Sequence, residues 1–190
     1  MGHRKLHTVA YLLGILFLGS SAGVFADPVV CQDVSLNHMS VDNSYVSACL
    51  GSGTGNLTGN PSNDPFLTSA AGAGYFTVTK SDDPSPLFSL AFTQSGSTGT
   101  WSFDSSFWST YSSAAIGFKF GTGNEADEWF VYSLQPGNTS GDWKFVNVFN
   151  KGGGLSHVNL YATRASVPEP ASLTLLGLGL LASGLLLRRR

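Results

Sequence analysis

The chain has 190 residues, of which 42% are apolar and only 12% charged, with a formal net charge of −2. The length points to one domain, and the charged fraction is about half the ~25% of an ordinary soluble domain, its place taken by Gly, Ser, Thr and Asn. So few cations exclude a duplex-binding protein, because nothing neutralises phosphates in number, and an aromatic content of 12% excludes acidic disorder.

The first predicted element is an address. Arg4 and Lys5 precede an apolar run from Val9 to Leu18, and small residues then lead to Val24, Phe25 and Ala26 before Asp27. A basic start, a short apolar stretch and small side chains before the cut make a secretory signal peptide over residues 1–26. Signal peptidase is expected to cleave after Ala26, with Ala22 as the lesser alternative. A retained anchor is the poorer reading. Ten apolar residues rise only about 15 Å as a helix, half of a ~30 Å hydrocarbon core.

The segment 27–164 is the mature domain. It carries five basic residues (Lys80, Lys119, Lys144, Lys151, Arg164) against eleven acidic ones, a formal charge of −6 that the two ends conceal. Such a domain repels anionic lipid and nucleic acid. Its two cysteines, Cys31 and Cys49, lie near its start. An oxidising compartment and an even count favour a disulfide, which at this loop length contributes about 3 kcal/mol. A metal pair is the alternative, but no third or fourth ligand stands at zinc spacing. No cofactor or metal is expected.

From Gly51 to Pro65 no apolar periodicity exists, and Gly, Asn and Pro predict a long loop or string of turns. Asn63 and Asp64 within it read as a solvated turn rather than a cation site. Short runs of strand composition follow at 74–80, 87–93, 98–103, 115–120, 128–134, 143–150 and 155–163. Each alternates with period two between turn residues. Seven or eight such strands predict an all-β domain, a two-sheet β-sandwich of jelly-roll or lectin-like type. The expected core is Phe88, Leu90, Phe92, Trp101, Ile116, Phe118, Phe130, Tyr132, Val146, Val148, Val158 and Leu160.

No catalytic residue is assigned. Residues 19–23 fit G-x-S-x-G but sit in the leader, without the strand and helix a nucleophile elbow needs. Residues 177–182 fit G-x-G-x-x-A but lie in an apolar span with no βαβ unit. His157, Asn159 and Tyr161 share one side of the last strand, where a polar face or a histidine bonded to a nearby loop is expected. Asn124, Glu125, Asp127 and Glu128 cluster after Gly123. Their oxygens would suit calcium, but the spacing is not that of an EF-hand, and a hairpin turn with solvated charges is favoured. Among Trp101, Trp108, Trp129 and Trp143, Trp108 has the poorest strand pattern. It and Tyr111 are the expected carbohydrate contacts if the domain binds sugar, since exposed rings stack on sugar faces; core filling is the alternative.

The last element follows Val167, Pro168, Glu169 and Pro170, where two prolines hold the backbone extended. Ala171 to Leu187 then carries no charge and is about 25 Å long as a helix, enough to span a membrane with some thinning. Arg188, Arg189 and Arg190 close the chain and keep it cytoplasmic, so the domain faces outward. These parts, in this order, resemble the PEP-CTERM sorting signal over 165–190. The resemblance implies a Gram-negative host, recognition of the Pro-Glu-Pro element by exosortase, and a transmembrane helix at 171–187 that anchors the protein transiently in the inner membrane. Many proteins of that family also carry a last strand similar to Gly154, Leu155, Ser156, His157, Val158, Leu160 and Tyr161. They carry tryptophans two residues after glycines too, as at Gly99 and Trp101 or Gly141 and Trp143. The expected function is a non-enzymatic component of the cell surface or exopolysaccharide matrix; the alternative is a lectin-like carbohydrate-binding module. Expected partners are exosortase, signal peptidase and exopolysaccharide, with no nucleic acid.

Overall fold

Short runs in which apolar and polar residues alternate can bury only one face, so they pair into sheets and the sheets pack together. The computed structural model describes residues 27–32, 38–121, 126–146 and 154–164. The predicted leader (1–26) and the sorting signal with its span (165–190) lie outside the described residues. The strands are β1 (Pro28–Gln32), β2 (His38–Asp42), β3 (Val46–Thr54), β4 (Tyr75–Lys80), β5 (Leu90–Phe92), β6 (Thr98–Phe103), β7 (Ala114–Gly121), β8 (Glu128–Leu134), β9 (Ser140–Val146) and β10 (Gly154–Thr163). One short helix, α1 (Phe107–Thr110), stands between β6 and β7.

Two five-stranded sheets result, ordered β1-β2-β9-β6-β5 and β3-β8-β7-β10-β4. Every pairing is antiparallel. The connections are nested. β2 to β3 and β8 to β9 each pass from one sheet to the other, so β2 pairs β9 while β3 pairs β8. The step from β6 to β7 does the same on the other flank of β9 and β8. The inner faces meet in one core. Phe120 of the second sheet stacks on Phe145 of the first at 4.3 Å, and Trp143 packs against Phe118 and Phe120. Cys31 and Cys49 form the expected disulfide, Cα to Cα 5.4 Å. It joins β1 to β3 and so fastens the edge strands of opposite sheets. Beside it the Tyr132 hydroxyl on β8 donates to Met39 O and accepts from Cys31 N–H, a second tie across the gap.

The repeated Gly-x-Trp pattern has a packing cause. β6 and β9 run antiparallel with Gly99 opposite Trp143 and Trp101 opposite Gly141. A methyl on Gly99 would stand 2.6 Å from the Trp143 ring, and one on Gly141 would stand 2.8 Å from that of Trp101. Each indole therefore lies over the other strand's glycine. Both indole Nε1 atoms are buried and make no hydrogen bond among the described residues.

Several sequence expectations need correction. Strands begin well before residue 74, and β3 runs through Gly51–Thr54, which reads as loop. Gly51 and Gly53 are strand residues because the Trp129 ring of β8 lies across them, 3.2–3.4 Å from where Cβ atoms would be; glycine in a strand marks such close approach. The expected strand at 87–93 shrinks to β5. Pro84 and Pro86 cannot donate to a ladder, and Leu87 stands 74% exposed. Phe92 and Val146 are half-buried rather than core, and β9 starts at Ser140, three residues before the expected onset. Val148 lies outside the described residues. The remaining expected core residues are buried.

Candidate functional site

β10 is buried on both faces, and this decides the fate of its polar residues. Val158 and Leu160 face the inter-sheet core, while His157, Asn159 and Tyr161 face outward under the 55–74 loop. Leu57 and Phe66 of that loop plug onto Ala115, Val131 and Tyr161, a second small core outside the sheet. Gly117 admits Leu57, since its Cβ would stand 2.9 Å from the leucine methyl. Gly59, at φ +75°, supplies a turn that L side chains rarely adopt.

Asp64 is the loop's anchor, not a solvated turn. It is fully buried, and its carboxylate accepts from the N–H groups of Gly59, Phe66 and Leu67 and from the Tyr161 hydroxyl, at 2.7–3.2 Å. Asp followed by Pro65 caps a helix-like turn that closes with Thr68 N–H on Asp64 O. Leu57 O is hydrogen-bonded to His157 Nε2 at 2.8 Å and accepts from Asn159 Nδ2 at 2.9 Å. The histidine is thus bonded to a loop, as one of the sequence readings expected. Its Nδ1 stands 3.8 Å from Asp82. Burial pushes the Tyr161 phenol well above its ordinary value, and the Asp64 carboxylate adds to the rise.

The acidic group near residue 125 also changes character. Asn124 and Glu125 lie outside the described residues. Asp127 pairs with Lys119 at 2.7 Å, and Glu128 is buried at the start of β8 rather than solvated. Among the described residues no group of three His, Cys, Asp or Glu side chains is placed to hold a metal ion.

Trp108 and Tyr111 come together at α1, both half-buried. Trp108 Nε1 donates to Asn138 O at 2.8 Å, and its ring meets Phe107 edge-on at 5.3 Å. Tyr111 packs on Phe76, Phe88 and Phe107. Arg164, where β10 has ended, holds its guanidinium 5.9 Å from the centre of the Phe76 ring.

One concavity was not revealed by the sequence. On the outer face of the first sheet a trough of about 640 Å³ is lined by Ser40, Asp42, Thr98, Thr100, Asp142 and Lys144, with Tyr45, Trp143 and the 93–95 turn at its walls. Alternation along β2, β9 and β6 points these polar side chains outward, and cross-strand register sets Ser40 and Thr98 beside Lys144 and Thr100 beside Asp142. Thr100 and Thr93 share a hydroxyl hydrogen bond of 2.7 Å. The Ser44 hydroxyl and N–H hold the Asp42 carboxyl below the usual carboxylate range. Period two was legible in β6 and, from Trp143 onward, in β9; β2 was not expected as a strand, nor was it legible that these three lie side by side.

Residues 166–190 match the family model of the PEP-CTERM protein-sorting motif. No curated protein and no solved structure matches the chain. The motif implies an exported protein of a Gram-negative bacterium, sorted to the cell envelope or surface through exosortase. Among the described residues no helix is long and apolar enough to cross a membrane.

Proposed function

We propose that this chain, which ends in a PEP-CTERM sorting motif, is a non-enzymatic component of the bacterial surface or exopolysaccharide matrix. The motif at 166–190 is the observation that carries the proposal. Exosortase reads Pro168, Glu169 and Pro170, while the apolar span and Arg188, Arg189 and Arg190 hold the tail in the inner membrane until processing. Signal peptidase removes residues 1–26. The disulfide between Cys31 and Cys49 supports an oxidising destination, and the nested strand pairing supports a jelly-roll or lectin-like kinship.

The test is processing in the native host. Glu169→Ala should leave the C-terminal mass of the exported chain unshortened, whereas the unaltered chain is trimmed. Equal trimming of both would remove exosortase recognition from the account.

A second reading, a carbohydrate-binding module, is supported by the trough on the first sheet, whose volume falls in the range of ~300–1,000 Å³ typical of ligand sites. Trp108 and Tyr111 are its other candidate contacts, although each already spends part of its ring on the aromatic cluster at α1.

A further inference from the structure

The two outer faces of the molecule differ. The 55–74 loop roofs that of the second sheet, whereas the first sheet leaves its trough over β2, β9 and β6 open to solvent. We propose that this trough binds a segment of a neutral polysaccharide chain. The inference rests on the carbohydrate-binding reading and adds to it a place and a ligand class.

The lining narrows the ligand by elimination. Its outward groups are hydroxyls (Ser40, Thr98, Thr100) and carboxylates (Asp42, Asp142), with Lys144 as the one ammonium among them. Lys144 makes no ion pair with a described residue, and the Asp142 side chain makes no hydrogen bond or ion pair with one, so both are unspent. A polyuronate or a phosphate polymer meets two carboxylates and one cation on a domain of net charge −6, and is repelled. A neutral sugar suits what remains. Carboxylates accept from its hydroxyls, Ser and Thr both donate and accept, and the ammonium donates.

The experiment titrates the full-length chain, in a sugar-free zwitterionic detergent, with laminarihexaose, cellohexaose, maltohexaose and oligogalacturonate by calorimetry. We expect saturable binding of at least one neutral hexasaccharide. Its affinity should fall about tenfold or more in Thr100→Arg, which fills the trough, and in Asp142→Ala, which removes a charged acceptor. Both positions are exposed, so both variants should keep the thermal midpoint of the parent. Binding that is lost in Trp108→Ala but kept in both trough variants overturns the trough and leaves carbohydrate binding standing at α1. Preference for oligogalacturonate overturns the neutral class. A folded, disulfide-bonded chain that binds none of the four sugars removes carbohydrate binding itself, and the trough with it.

Discussion

Asp64 shows how one side chain can organise a loop that sequence reads as mere polarity. Its carboxylate receives three backbone N–H groups and one phenol and is fully buried. Hydrogen bonds to a charged group contribute about 1.5–3 kcal/mol each, and orphaned buried donors carry a full desolvation penalty. Asp64→Ala should therefore lower stability by about 3 kcal/mol or more, read from denaturant midpoints. A loss under about 0.5 kcal/mol, the size of an ordinary surface change, would show the loop is not anchored there. The Asp64-Pro65 step, which reads as a solvated turn, is a cap; its burial was not legible, because it depends on Tyr161, 97 residues away. Tyr132 adds a pH dependence. Burial pushes its phenol well above the ordinary value of 10, while the unfolded chain ionises near that value. Below about pH 10 the contribution is fully present; above it the unfolded state loses a proton that the folded state keeps, so stability falls as pH rises. Between about pH 9 and pH 11 the thermal midpoint should drop less in Tyr132→Phe than in the parent. Equal drops would mean that this phenol is not the group responsible.

At the scale of elements, the Gly-x-Trp strands are the clearest case of sequence whose meaning lies in a partner strand. Alternation placed β6 to the residue and β9 only from Trp143 onward, which left Gly141 outside the expected strand. Register turns each glycine into the seat of a tryptophan. Adding one methyl at Gly99 or Gly141 therefore overpacks the core. Gly99→Ala meets the Thr93 carbonyl as well as the Trp143 ring, and backbone yields less than a side chain. We expect a loss of about 1–3 kcal/mol for Gly141→Ala and at least as much for Gly99→Ala, against a gain for Gly137→Ser only if its φ of +87° were tolerated. Unchanged midpoints for both alanine variants would mean that the indoles do not sit over the glycines. The same logic explains why β3 was missed: Gly51 and Gly53 carry turn chemistry in sequence and strand geometry in space, because Trp129 comes from a strand far along the chain.

For the whole molecule, the C-terminal motif stated the destination and the middle stated the all-β class, but the pairing of sheets was beyond local pattern. Strand existence is a matter of alternation within a few residues, whereas the nested order depends on contacts between distant segments, such as β2 with β9 and β3 with β8. The cysteines were the exception, a long-range contact legible from their count and compartment. Their bond acts where the architecture is most open, because β1 and β3 are edge strands of opposite sheets and no backbone ladder joins them. The Tyr132 hydroxyl bridges the same gap but cannot stop the edges from parting. Removing the bond with Cys31→Ser and Cys49→Ser should cost about 3 kcal/mol, which for a domain of this size lowers the thermal midpoint by roughly 10 °C. The loosened edge should show first in hydrogen exchange at β1 and β2, ahead of β7 and β10 at the heart of the second sheet. Chain made in a reducing cytosol should behave like the double serine variant, and chain recovered after export like the parent. If reduction left both the midpoint and the exchange of β1 unchanged, the core and the hydrogen bonds across the gap would hold the two sheets together without the disulfide.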